Sequence, residues 1–347
     1  MDSLLPSRRA VLASAAGIAA AAALPAIAQA PDKREVKVSL GWTFIATQAP
    51  FPYGVDKGFF KAEGLDVAVD RGSGAGTSVQ RVVSGAYDFG YADIGTIALY
   101  NAQNPGRQVL AVYIVEDDSP LTLITLAGSG ITKPRDIEGK RIGVSQFDGA
   151  RLMFPVFARA NRIDTAGITW KTVDATMRET MLARGEVDVI TGFTTTSMPL
   201  LASMNQKPVA LRYPENGVAG FGQALIVTRE FAGKSPDMVA AFVRALNRSV
   251  KAMVRHPREA LESLKKRDGL VNMDMEAARM DLLLRQLVLT PAVQKNGLSS
   301  ADPKRLADAV ENVRTVANTQ APLPVDHVYT TRFLPPAADR MVAGTRP

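Results

Sequence analysis

Five short stretches hold the residues whose types and spacing suit chemistry on a small molecule. Gly72-Ser73-Gly74-Ala75-Gly76-Thr77 is a glycine-rich turn ahead of a helical pattern, and backbone N–H groups at a helix N-terminus receive an anionic group well. It lacks the lysine of a P-loop and is incomplete as a dinucleotide fingerprint, so a plain strand-to-helix turn is the alternative. Ala92-Asp93-Ile94-Gly95-Thr96 offers Asp93, which accepts a hydrogen bond from a ligand N–H or braces its own loop. In Ser145-Gln146-Phe147-Asp148-Gly149-Ala150-Arg151, Ser145 and Asp148 suit either a ligand or a helix cap, and Arg151 either an acidic group or solvent.

Trp42 to Gln48 and Gly192-Phe193-Thr194-Thr195-Thr196 complete the set. Trp42, Phe44, Phe147 and Phe193 are aromatics able to sandwich a flat, partly apolar ligand, though each taken alone suits a core equally. The candidate ligand-binding residues are therefore Trp42, Phe44, Gln48, Ser73, Gly74, Ala75, Thr77, Asp93, Gly95, Ser145, Phe147, Asp148, Gly149, Arg151, Phe193, Thr194 and Thr195.

Catalytic chemistry finds little support. His256 precedes Pro257 at the end of a long helical pattern and His327 falls in the C-terminal region, so neither sits with the five stretches. Without cysteine there is no thiolate nucleophile or zinc-thiolate site, and two distant histidines do not make a zinc cluster. A serine nucleophile needs a partnered base, and none accompanies the serines of these loops. No catalytic residue, cofactor or metal is expected. Asp117-Asp118 is an acidic pair beside a change of segment, suited to holding a hinge.

The elements that would position these loops are short apolar runs alternating with helical stretches from Val36 onward, the pattern of an α/β fold with mostly parallel sheets. Val36 to Leu40, Leu65 to Val69 and Tyr87 to Tyr91 read as strands, with a helix over Thr77 to Ser84. In open α/β sheets ligands bind beyond the carboxyl ends of the strands, where the five stretches fall. Ser84-Gly85-Ala86-Tyr87-Asp88-Phe89 recurs one hundred residues later as Arg184-Gly185-Glu186-Val187-Asp188-Val189. The strand and helix before the first copy are paralleled by Thr169 to Val173 and Met177 to Ala183 before the second, which predicts two similar lobes.

Ser119 to Thr125 and Gly222 to Val227 are extended apolar runs suited to carry the chain between the lobes and back, and two crossings make a hinge. The expected division is 35–121 with 226–347 for lobe one and 122–225 for lobe two. Val239, Phe242, Val243, Leu246, Val250 and Met253 follow helical spacing after a Ser235-Pro236-Asp237 start. Further helices are expected over Met275 to Leu289 and Pro303 to Val316, packing the first lobe.

The chain has 347 residues, 46% of them hydrophobic and 22% charged, enough for a real core and two lobes. Arg8-Arg9 before an alanine-rich run, ending in Ala26-Ile27-Ala28, predicts an export signal over 1–28, twin-arginine-like or ordinary secretory, cut after Ala28. The leader has no cysteine to carry a lipid, so an unlipidated periplasmic protein is expected. Loss of Arg8, Arg9 and Asp2 takes the net charge from +7 to +6. Basic and acidic residues intermingle without aromatic-basic interleaving, which argues against nucleic-acid binding.

Tyr53-Gly54-Val55-Asp56-Lys57-Gly58-Phe59-Phe60-Lys61-Ala62-Glu63-Gly64-Leu65-Asp66-Val67 resembles a signature of type II periplasmic binding proteins. The resemblance is to their nitrate/sulfonate/taurine and thiamine-pyrimidine-precursor branch. Ser84 to Gly90 and Asp136-Ile137-Glu138-Gly139-Lys140-Arg141-Ile142-Gly143-Val144 match two further segments in order. The resemblance implies a two-lobed fold that closes on a small-molecule ligand and delivers it to the membrane permease of an ABC importer; a monomer is expected. It implies ligand contact at the Trp42 region, Ser73 to Thr77, Asp93 and Ser145 to Arg151. Some relatives make the thiamine pyrimidine with a cysteine-rich motif and histidines that this sequence lacks, which counts against a pyrimidine-synthesising enzyme, the alternative reading. The expected ligand is a small organic anion, aromatic or heteroaromatic.

Overall fold

The computed structural model describes residues 34–145, 148–174, 176–319 and 322–342. The leader and the cut expected after Ala28 lie outside them. Val36 and Val38 are buried between the exposed Glu35 and Lys37, the period-2 pattern of a strand with one dry face.

From that strand, β1 (Arg34–Ser39), the chain runs through α1 (Pro50–Asp56), β2 (Leu65–Asp70), α2 (Ala75–Val83), β3 (Phe89–Asp93), α3 (Ile94–Gln103) and β4 (Val109–Ile114). A second run follows: β5 (Leu121–Leu126), β6 (Arg141–Val144), α4 (Gly149–Asn161), β7 (Thr169–Thr172), α5 (Arg178–Ala183), β8 (Val189–Phe193), α6 (Thr194–Ser203) and β9 (Pro208–Arg212). It returns in β10 (Gln223–Thr228), followed by α7 (Arg229–Lys234), α8 (Pro236–Arg255), α9 (Pro257–Arg267), α10 (Met273–Leu282), α11 (Pro291–Asn296) and α12 (Pro303–Val316).

The strands form two five-stranded sheets of matching order, β2-β1-β3-β10-β4 and β7-β6-β8-β5-β9. In each, the first three strands are parallel and the fourth is antiparallel to both neighbours. The sequence echo has a physical meaning in this frame. Gly85 and Gly185 turn the chain at φ 78 and 70, a left-handed conformation that glycine adopts without strain. The aspartate three residues on then accepts from a central-strand amide, Asp88 from Lys37 N at 2.8 Å and Asp188 from Arg141 N at 2.9 Å.

The two apolar runs expected to be crossings are mostly strands. Leu121–Leu126 is the fourth strand of the second sheet and Gln223–Thr228 the fourth strand of the first. Flanked by a strand on each side, these runs bury their apolar residues in the sheets, and the crossings fall in residues 115–120 and 213–222.

The α8 stripe Val239, Phe242, Val243, Leu246, Val250 and Met253 is fully buried, and Phe242 stacks on Phe89 of β3 with ring centres 4.1 Å apart. The helix expected to continue to Leu289 is α10 followed by a π-helical turn, Leu283–Val288. Met280, Leu283 and Leu287 pack in the first-sheet core with α8. Leu306, Ala309, Val310 and Val313 of α12 instead join a core that holds residues of both sheets, including Ala92 and Val189. Among the described residues no helix is long and apolar enough to cross a membrane.

Candidate functional site

The loops after β1, β2 and β3 meet at the carboxyl end of the first sheet. Gly72 N donates to Trp42 O and Gly74 N to Gly41 O, both at 2.9 Å, so the glycine-rich turn is sewn to the loop after β1. A Cβ on Gly72 would run into the Leu40 carbonyl, and Gly74 sits at φ 144. Gly72 is thus required by the chain's own close approach and Gly74 by a backbone conformation that side chains disfavour. Helix α2 opens at Ala75 without a side-chain cap, which leaves its first N–H groups, beside the exposed Ser73 and Thr77, as an uncapped helix end.

Trp42 is 38% exposed, whereas Phe44 is buried in the first-sheet core with the Arg71 guanidinium 5.7 Å from its ring centre. Gln48 is fully buried: its Oε1 accepts from Gly41 N at 3.1 Å, and its Nε2 donates to Thr47 Oγ1 at 3.0 Å and to Gln223 Oε1 at 3.4 Å. Asp93 caps α3, accepting from Thr96 N at 2.9 Å and from Thr96 Oγ1 at 2.7 Å. Burial raises its pKa against the lowering effect of those bonds.

In the second half, Ser145 is half-buried after β6, and Phe147 lies outside the described residues. Asp148 caps α4, which opens at Gly149, by accepting from Ala150 N at 2.9 Å and Arg151 N at 3.1 Å. Its other oxygen accepts from Thr191 Oγ1 at 2.6 Å and Arg178 Nη1 at 2.8 Å, so the carboxylate is fully engaged inside the protein. Arg178 also meets Glu179 at 3.0 Å, and Ser197 Oγ donates to Glu179 at 2.6 Å. Arg151 lies 3.7 Å from the Trp170 ring centre, a cation–π contact, and burial lowers its pKa. Phe193 is half-buried, Thr194 is buried with its Oγ1 unpartnered, and Thr195 O accepts from Arg279 Nε at 2.8 Å.

Asp93, Gly95 and Phe193 are brought to one cavity together with Ser119, Pro120, Leu121, Val218 to Phe221, Met153 of α4 and Val313 of α12. It therefore has walls from both halves and from both crossings. Its volume is about 30 Å³, room for a water or two. Small-molecule sites run to roughly 300 Å³ and above, so the cavity as it stands is well below that size.

The crossings carry charges that the chain neutralises internally. Asp118 meets Arg212 at 2.7 Å, and Asp117 meets Arg305 of α12 at 2.6 Å and Thr290 Oγ1 at 2.5 Å. Glu116, 1% exposed, accepts from Gln223 N at 3.2 Å through Oε2, while its Oε1 has no hydrogen-bond partner. Burial, opposed by that bond and reinforced by nearby Asp93, pushes its pKa up to about 8.

Glu116, Gln223, Trp170, Arg178, Glu276 and Arg279 are the site-region residues that sequence reasoning missed. Arg178 and Arg279 stand on helical patterns full of other charges, and nothing local separates a buried arginine from a solvated one. Glu116 had a signal, as an acid directly after the apolar run of β4 and beside Asp117-Asp118. Among the described residues, no group of three or more histidine, cysteine, aspartate or glutamate side chains is arranged to hold a metal ion.

A family model described as NMT1/THI5 like matches residues 46–260. The chain is 28% identical over 239 residues to a 4-amino-5-hydroxymethyl-2-methylpyrimidine phosphate synthase of Legionella pneumophila, covering 67% of this chain and 73% of that protein. It is 22% identical over 328 residues to the riboflavin-binding protein RibY of Chloroflexus aurantiacus, covering 90% and 91%. The alkanesulfonate-binding protein SsuA of Xanthomonas axonopodis, solved bound to MOPS, superposes with a TM-score of 0.63 at 14% identity over 85% of this chain and 98% of that one. The shared feature at that identity is the fold, a two-lobed periplasmic binding protein architecture.

Proposed function

The chain belongs to the NMT1/THI5 like family, and on that footing we propose that it is the periplasmic solute receptor of an ABC importer. It would capture a small aromatic or heteroaromatic solute with an acidic group by closing two lobes, and deliver it to a membrane permease. The observation that carries this reading is the pair of like-ordered sheets joined by two crossings, whose adjoining loops share one cavity. Phe193 lines that cavity, and the half-exposed Trp42 outside it would add a second apolar face, with the uncapped starts of α2 and α6 supplying N–H groups for an acidic end. Export through the Arg8-Arg9 leader, with release as an unlipidated monomer, completes the proposal.

A thermal-shift screen of the purified protein with pyrimidine precursors, riboflavin, aromatic carboxylates, alkanesulfonates, taurine and nitrate tests it. A true ligand at 100 times its Kd adds about 2.7 kcal/mol of stability. Silence toward every member would remove the proposed ligand class.

A second reading, a pyrimidine-synthesising enzyme, is favoured by the name of the Legionella relative. Against it stand a sequence without cysteine and the placement of its histidines, with His256 57% exposed at a helix end. Product formation by the purified protein would establish the enzyme; stoichiometric binding without product would exclude it.

A further inference from the structure

We propose that Arg279 is a positioning residue for solute capture: it latches the lobes together through the Thr195 carbonyl, which Pro199 leaves free. The starting point is a proline inside a helix. The carbonyl of Thr195 would ordinarily accept from the amide of residue 199, but that residue is Pro199, which has no N–H. A buried carbonyl without a donor is costly, so its partner must come from elsewhere. The partner is Arg279 Nε at 2.8 Å, a charge-assisted bond from α10 to α6.

The two ends of this bond belong to different halves of the fold. Helix α10 packs with the first-sheet core through Met280, while Leu201 of α6 packs with Ile124 and Ile190 of the second sheet. The guanidinium is held in place from its own side. Arg279 Nη1 meets Glu276 at 2.9 Å, and the other oxygen of Glu276 accepts from Ala46 N at 2.6 Å, just beyond the strand-end loop that carries Trp42. Arg279 is 5% and Glu276 2% exposed, so the bond is made out of water, where it is strong and where its loss leaves polar groups unsatisfied.

The consequence concerns binding rather than folding alone. Separating the halves to admit a solute into the cavity of about 30 Å³ breaks the Arg279–Thr195 bond, and closing remakes it. The latch favours the closed form with or without solute, and so lowers the solute-accepting population while slowing release. It is a property of the two-lobed fold and stands whichever solute class the receptor takes.

The test reads the lobes directly. The chain has no cysteine, so one label pair placed on exposed positions of the two halves reports their separation without background. In the solute-free wild type the distance distribution should be dominated by the closed form. Replacing the charge pair together, E276Q with R279Q, avoids stranding one buried charge. It should raise the open fraction about tenfold or more, the effect of losing one charge-assisted hydrogen bond. R279K, which keeps the charge and one donor, should restore part of the closed fraction, a recovery that a merely structural arginine would not show. P199A changes no charge and lets α6 supply its own donor to Thr195, and it should shift the distribution the same way by a smaller factor.

Wild-type distributions in the doubly substituted protein overturn the proposal; if that protein does not fold, an unshifted P199A overturns it. Because no solute is added, failure of the latch and failure of the transport reading are separate results.

Discussion

Glu116 gives the sharpest quantitative prediction. Its carboxyl lies in the first crossing with one oxygen bonded to Gln223 N and the other buried without a partner. Burial raises its pKa from the ordinary glutamate value of 4.5 to about 8. The groups facing it are Tyr91 and Asp93 from β3 and Gln223 from the start of β10, with Asp117 and Asp118 alongside already matched by Arg305 and Arg212.

Between pH 4.5 and 8 the folded chain keeps a proton that the unfolded chain has released. Stability therefore falls as pH rises through that window, by about 1.4 kcal/mol per pH unit, and levels off above it. The accumulated loss is on the order of 4–5 kcal/mol, a large share of the roughly 5–15 kcal/mol that holds a domain folded. Glu116→Gln mimics the protonated form: its amide oxygen accepts from Gln223 N, and it cannot ionise. Urea unfolding of both proteins between pH 4.5 and 9 measures the difference. The variant should match wild type near pH 4.5, exceed it by about 2 kcal/mol near pH 6, and exceed it by the full amount above pH 8. A difference independent of pH would refute the argument, because it would mean that Glu116 ionises alike in the folded and unfolded chains.

Other outcomes follow from single contacts. Asp148→Ala removes the cap of α4 and a buried partner of Arg178 together and should cost about 3–5 kcal/mol; Asp148→Asn keeps the capping oxygen and should cost visibly less, both read from urea midpoints. Gly72→Ala drives a methyl into the Leu40 carbonyl, and a drop in melting temperature of several degrees is expected. Trp42→Ala, at a 38% exposed position, should change stability by less than about 1 kcal/mol while weakening solute binding tenfold or more by calorimetry; unchanged affinity would take Trp42 out of the site.

Much of the frame was legible along the chain because its causes are local. Strand alternation at Val36 and Val38 and the apolar stripe of α8 after its Pro236 start each follow from residues a few positions apart. The glycines of the echo, Gly85 and Gly185, were legible for the same reason, since a left-handed turn is a short-range requirement repeated in both halves, whereas the strand amides that Asp88 and Asp188 receive lie 51 and 47 positions away. The sequence leaves Asp93 open between a ligand N–H and bracing its own loop, and Asp148 between a ligand and a helix cap. The structure shows each as a helix cap, and for Asp148 adds the long-range partner Arg178.

What the sequence alone determined, then, is the α/β alternation, the doubling of the plan and the strand-end loops, because period, turn chemistry and helix starts depend on near neighbours. Only the tertiary structure decided that Leu121–Leu126 and Gln223–Thr228 are sheet strands rather than crossings, that Phe44 faces the core, that Glu116 is sealed in the hinge, and that Arg279 answers the carbonyl freed by Pro199. The bond from Arg279 to Thr195 joins residues 84 positions apart. Its existence depends on which faces are buried against each other, and on the cost of leaving a buried polar group unpaired once they are.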